Sequence, residues 1–144
     1  MFAKLAEKLK GGTKKLSGKT DLLEGIAAMV ALVAGADGEI EDAEVESGLN
    51  ALLSHATISE AFTSSQIEQA FDKQLKRVKG GMAGKLALKR EIEEMKTKSP
   101  HDELEMAFMI AIDVSLADGQ MEPQEKTVLE DLGRRLGLSL SHYL

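Results

Sequence analysis

Ala36-Asp37-Gly38-Glu39-Ile40-Glu41-Asp42-Ala43-Glu44 is answered further along the chain by Ala117-Asp118-Gly119-Gln120-Met121-Glu122-Pro123-Gln124-Glu125. Each copy follows a long apolar helical stretch, Ile26 to Ala34 and Ala107 to Leu116. Each also opens a new helix whose first turn is acidic, as the positive end of a helix dipole prefers. A helix, an Asp-Gly turn and a second helix therefore look duplicated as one unit. This predicts an all-α fold, a single helical bundle built around the duplicated unit, with the turns as the first place to look for function.

Outward from the turns, the apolar residues keep helical spacing. A long helix is expected to start near Thr20 or Asp21, either of which can cap it, and to turn Leu23, Ile26, Ala27, Val30 and Val33 inward before Gly35. After the first turn, Val45, Leu49, Leu52 and Leu53 form the stripe of a helix running to about His55. Thr57 with Glu60, and Ser65 with Glu68, read as capping boxes opening a short helix and a longer one, Ser65 to Val78. Gly80, Gly81 and Gly84 break the chain before a helix through Leu86, Leu88, Ile92 and Met95. Ser99-Pro100 then starts a buried helix with Pro100 in its first position. The last long helix spans Pro123 to Leu136, closed by Gly137, and a final turn covers Ser139 to Tyr143.

At 144 residues the chain suits one domain with a real core, burying about 70% of its unfolded surface. Its apolar content is Ala, Leu, Ile, Val and Met with few aromatics, a mixture that favours helices. The absence of cysteine excludes a disulfide framework, a thiolate nucleophile and the usual thiolate zinc sites, and points to a reducing cytoplasm. No signal peptide is visible, and the longest apolar stretch, Leu22 to Ala36, is interrupted by Glu24 and too short for a span of about 20 residues. The net charge of -6 hides an asymmetry: residues 1–20 carry six lysines and one acid, and Lys73 to Lys98 is also basic. Negative charge gathers around the two Asp-Gly phrases and Asp102 to Glu105.

Set against the calcium loop of EF-hands, the first phrase fits the second half of that loop. Asp37 falls at the fifth position, Gly38 at the sixth, Ile40 at the eighth, Glu41 at the ninth and Glu44 at the twelfth. The first half is missing, since Val33 and Gly35, and in the second copy Val114 and Leu116, stand where ligands belong. A self-sufficient EF-hand is therefore rejected. Two half-loops would make a site only if the units pack about a pseudo-twofold axis and bring both turns to one end of the bundle. Glu41 and Glu44, like Glu122 and Glu125, are three apart and share a helix face. With Asp37 and Asp118 on the turns, such hard oxygen ligands would suit Ca²⁺, Mg²⁺ or Mn²⁺. Two unit charges about 4 Å apart repel by about 4 kcal/mol at an effective dielectric near 20, so an empty cluster would call for a cation, a basic partner, raised carboxylate pKa values or water. The alternative is that capping and the dipole alone select acids at these helix starts, and duplication copied them.

Other chemistry is thinner. His55, His101 and His142 lack ligand-like spacing and are expected in surface or capping roles. No nucleophile, base and orienter assemble from these residues, so no enzyme and no organic cofactor are expected. Gly80-Gly81-Met82-Ala83-Gly84-Lys85 lacks the full spacing and the preceding strand of a phosphate loop. Met29, Met106, Met109 and Met121 read as core. Residues 1–19 form a basic amphipathic segment and linker ahead of the domain at 20–144. There, Phe2, Leu5 and Leu9 share a face, and with the lysines of residues 1–15 they would either dock on the bundle or lie on an anionic membrane. Nucleic acid is not expected as a partner, because the chain is acidic and almost without aromatics.

The pattern resembles the tellurite-resistance TerB family over essentially the whole chain. The likeness rests on the basic amphipathic opening, the turns at Ala36 to Gly38 and Ala117 to Gly119, and the ending Leu132-Gly133-Arg134-Arg135-Leu136-Gly137-Leu138. It implies a bundle of about seven helices without demonstrated enzymatic activity, in a bacterial or phage-borne stress system linked to tellurite, phage and colicin resistance. It further implies a divalent-metal site at Asp37, Glu44, Asp118 and Glu125, with Glu41 and Glu122 secondary, and an integral-membrane protein partner. The expected place is the cytoplasm, peripheral to the inner membrane where the basic start engages it. The chain departs from the family pattern in Ala36 and Ala117, where serine is expected, and in Gln120 and Gln124, which leave the second half-site less acidic. Without a metal, the same acidic end would serve as a structural module that docks a basic partner.

Overall fold

The computed structural model describes residue 16 and residues 18–117 and 119–144. Among them the chain forms seven α-helices: α1 (Thr20–Ala34), α2 (Asp42–Ser54), α3 (Ala56–Ala61), α4 (Ser64–Lys79), α5 (Met82–Lys98), α6 (His101–Ser115) and α7 (Pro123–Leu136). A single 3₁₀ turn, Leu140–His142, ends the fold. The all-α bundle expected from the sequence is what forms, with no strand among the described residues.

Two helices make the centre. In α1, Leu22, Leu23 and every residue from Gly25 to Val33 are buried, and in α6 so are Leu104, Met106 to Ile112 and Val114. Burial on all sides suits apolar sequences without a polar face, and α1 and α6 pack on each other. The outer helices are amphipathic and lie around them. α4 turns in Ile67, Ala70, Phe71, Leu75 and Val78, and α7 turns in Leu129, Leu132 and Leu136. α2 contributes mainly Leu52, with Val45, Leu49 and Leu53 partly covered against the core. Met29, Met106 and Met109 are buried and Met121 packs on the core edge.

Several boundaries differ from those expected. α1 begins at Thr20 with Lys19 in the capping position and no side-chain cap from Thr20 or Asp21. The capping box of α4 is Thr63 with Gln66, not Ser65 with Glu68: Gln66 N donates to Thr63 Oγ1 at 3.1 Å and Thr63 N donates to Gln66 Oε1 at 2.9 Å. Phe62 and Ile67, both buried, occupy the two staple positions around this box, and that apolar pair selects Thr63 from three adjacent hydroxyls. α3 starts at Ala56, so Thr57 lies inside it and caps nothing. Pro100 precedes α6 and its carbonyl accepts from the amides of Glu103 and Leu104.

Gly84 does not break the chain. It lies inside α5, where a Cβ would stand 1.9 Å from the Arg77 carbonyl oxygen, so its missing side chain lets the start of α5 pass against the end of α4. The break itself is Gly80-Gly81, with φ +98° at Gly81. Gly137, at φ +78°, closes α7 as expected: Leu138 N donates to Gly133 O and Gly137 N to Arg134 O, the two bonds of a Schellman motif.

Two positions leave the surface. Leu16, placed by the sequence in a basic linker, is fully buried in the core. The amine of Lys19 pairs with Glu103. His55, expected on the surface or at a cap, ends α2 with its side chain 10% exposed and Nε2 2.7 Å from Asp113 Oδ2. Phe2, Leu5, Leu9 and the lysines before Leu16 lie outside the described residues.

Candidate metal centre

The two turns share a pattern of backbone hydrogen bonds among the described residues. Gly35, Ala36 and Gly38 donate to the carbonyls of Ala31, Val33 and Gly35, and Leu116, Ala117 and Gly119 donate to Ile112, Val114 and Leu116. Every donor and acceptor recurs at one offset, that of Ala36 to Ala117. Gly38 and Gly119 take φ +90° and +87°, a region open to glycine and strained for other residues. Glu41 and Glu122 are then extended, and α2 and α7 start at the next residue. The correspondence ends there, because α2 gives way to α3 after one residue whereas α7 ends in the Schellman motif.

Packing of α1 on α6 brings the two turns to one end of the bundle. A cavity of about 270 Å³ opens beside them, where the ends of α1 and α6 meet the starts of α2 and α7, lined by Val30, Val33 and Val114 and with Glu44 and Glu125 on its wall. Glu44 sits on the first turn of α2 and Glu125 on the first turn of α7, at corresponding positions. Both are half-buried, while Asp37, Glu41 and Glu122 are exposed. The Ser115 hydroxyl, on the same wall, is buried without a hydrogen-bond partner. Sequence reasoning missed Ser115, which occupies the place of Ala34 in the first copy and has no motif to announce it.

The acids divide by what they already hold. Asp37 Oδ1 accepts the Glu39 amide at 3.0 Å, which fixes the turn, and Glu125 Oε1 accepts the Glu122 amide at 2.8 Å. The Glu44 carboxyl is pushed above its ordinary value, first by burial and then by the charges of Asp37, Glu41 and Glu125. Repulsion from Glu125 reaches it across the two copies, so the acidic corners share one electrostatic field. Among the described residues no three His, Cys, Asp or Glu side chains group as a metal cage. Asp118, the remaining candidate, lies outside the described residues.

A family model described as "Tellurite resistance protein TerB" matches residues 23–143. The chain belongs to the TerB family. The match takes in both turns, the cavity beside them and all seven helices except the first residues of α1. No curated protein and no solved structure matches the chain. Among the described residues, no helix of this TerB-family protein is long and apolar enough to cross a membrane.

Proposed function

We propose that this TerB-family chain is a non-catalytic stress-response protein that takes a divalent cation between its two acidic turns and acts as an adaptor for a protein or membrane partner. The observation that carries this reading is the meeting of Glu44 and Glu125 on one cavity, with the Glu44 carboxyl raised first by burial and then by its acidic neighbours. Carboxylate oxygens with a hydroxyl beside them are a hard donor set, which fits Ca²⁺, Mg²⁺ or Mn²⁺ and not a thiophilic metal. Glu44 and Glu125 would hold the ion, with Asp37, Glu41, Asp118 and Glu122 adding negative charge around it. The ion would supply the positive charge that offsets this crowding. With two half-buried carboxylates and no third in the group among the described residues, water completes its shell and the affinity is modest.

The adaptor role follows from the same arrangement. An ion at the corner changes the net charge presented there, and a basic partner surface would sense that change. The cytoplasmic setting and the protein partner, an integral-membrane component of the tellurite-resistance system, come from the family resemblance. The small number of convergent carboxylates favours a second reading, in which the acidic end docks a basic segment directly and no ion takes part.

Isothermal titration with Ca²⁺, Mg²⁺ and Mn²⁺ separates them. Under the first reading the wild type gives saturable heat with at least one ion, and Glu44→Gln combined with Glu125→Gln abolishes it. Silence of the wild type up to millimolar ion leaves only the docking module.

A further inference from the structure

Of the large apolar side chains among the described residues, three are exposed, and two of them are neighbours: Met82 at 71% and Leu86 at 44%. They stand on successive turns of α5, with Arg90 one turn further on along the same exposed stripe. The loop before them is Lys79-Gly80-Gly81, exposed throughout, so the α4–α5 corner is an exposed tip led by Met82.

The charge before and along the tip is predominantly positive. From Asp72 to Arg90 there are seven Lys and Arg residues against one acid. Four of them are committed to partners on the bundle: Lys73 to Glu24, Arg77 to Glu91, Lys89 to Asp131, and Lys85, whose amine donates to Gly35 O at 3.3 Å. Lys79 and Arg90 have no ion pair among the described residues, and Lys76 pairs only with Asp72 in a solvent-exposed contact of the kind that costs little to exchange. The free cations are therefore those beside the exposed Met82 and Leu86.

We infer that the α4–α5 tip docks on an anionic lipid bilayer, with Met82 and Leu86 entering the interface and Lys79, Arg90 and Lys76 meeting the headgroup phosphates. An exposed apolar tip flanked by cations suits a deformable anionic surface, whereas a protein partner would have to supply a matching acidic pocket. The opposing charge nearby is the acidic turn, tied to α5 through Lys85 and Gly35, and it keeps the contact weak and salt-sensitive. The proposed contact uses no residue of the N-terminal segment and needs no metal.

The chain contains no tryptophan, so Met82→Trp places a single reporter at the tip of the full-length protein. With vesicles containing about one-third phosphatidylglycerol, in EDTA and low salt, its emission should shift to the blue and be quenched by brominated acyl chains. Pure phosphatidylcholine vesicles, or about 0.5 M salt, should leave it unchanged. Met82→Asp with Leu86→Asp, whose fold is checked by circular dichroism, should lower the amount co-sedimenting with anionic vesicles by about tenfold. An unshifted reporter on vesicle-bound protein would mean another part of the chain makes the contact, and would overturn the assignment. So would failure to bind anionic vesicles, equal binding to neutral ones, or undiminished binding of the double variant.

Discussion

At Glu44 two effects of opposite sign meet. Its place in the first turn of α2 favours the carboxylate through the helix dipole, while burial beside Asp37, Glu41 and Glu125 favours the neutral acid, and the second effect wins. Because its pKa is higher in the folded chain than the ordinary 4.5, the folded state holds this proton to higher pH than the unfolded state does. The group's contribution to stability is therefore largest below about 4.5 and declines as pH rises through the raised value. Glu44→Gln should flatten that decline and stabilise the protein near neutral pH by about 0.5 kcal/mol in EDTA. Thermal melts across the acid range would show it, and an unchanged profile would mean that Glu44 is as solvated as the exposed acids. Spacing alone picked out six acids. It could not tell which of them the fold draws inward, since that depends on which flank of α2 and α7 faces α1 and α6. Ser115 was illegible for the same reason.

Among the elements, α5 shows how a glycine misleads when read locally. Gly84 resembles a helix breaker, yet its role is tertiary, to let the Arg77 carbonyl approach. Gly84→Ala removes a poor helix former, worth about 1 kcal/mol in an isolated helix, but forces a Cβ into backbone that cannot move aside. The collision should dominate and destabilise the protein by about 1–3 kcal/mol, read as a lower denaturant midpoint with unchanged slope. A stabilised variant would show that α4 and α5 are not packed as described. The long helices were legible because apolar spacing over many residues carries the information. Capping registers were not, because Thr63, Ser64 and Ser65 offer three hydroxyls in a row and buried Phe62 and Ile67 decide among them.

For the whole molecule, the decisive contact is that of α1 with α6, the two apolar helices that lead into the turns. Their hydrophobicity made an all-α core readable, and their pairing, which the sequence could only pose as a condition, sets Glu44 beside Glu125. An ion held there binds the folded chain alone, so it should stabilise the entire bundle. At ten times its dissociation constant the gain is about 1.4 kcal/mol, or about 3–6 °C in melting temperature for a chain of this size. Melts with and without the ion, on wild type and on the Glu44→Gln, Glu125→Gln pair, should show the rise in the first and none in the second. An equal rise in both would place the ion elsewhere.

The oxygen of Gly35 accepts from Gly38 N within the first turn and from the Lys85 amine on α5. One carbonyl thus fastens the acidic corner to the helix that carries the apolar tip, and losing the Lys85 amine would leave that oxygen with the turn's own bond to Gly38 N alone.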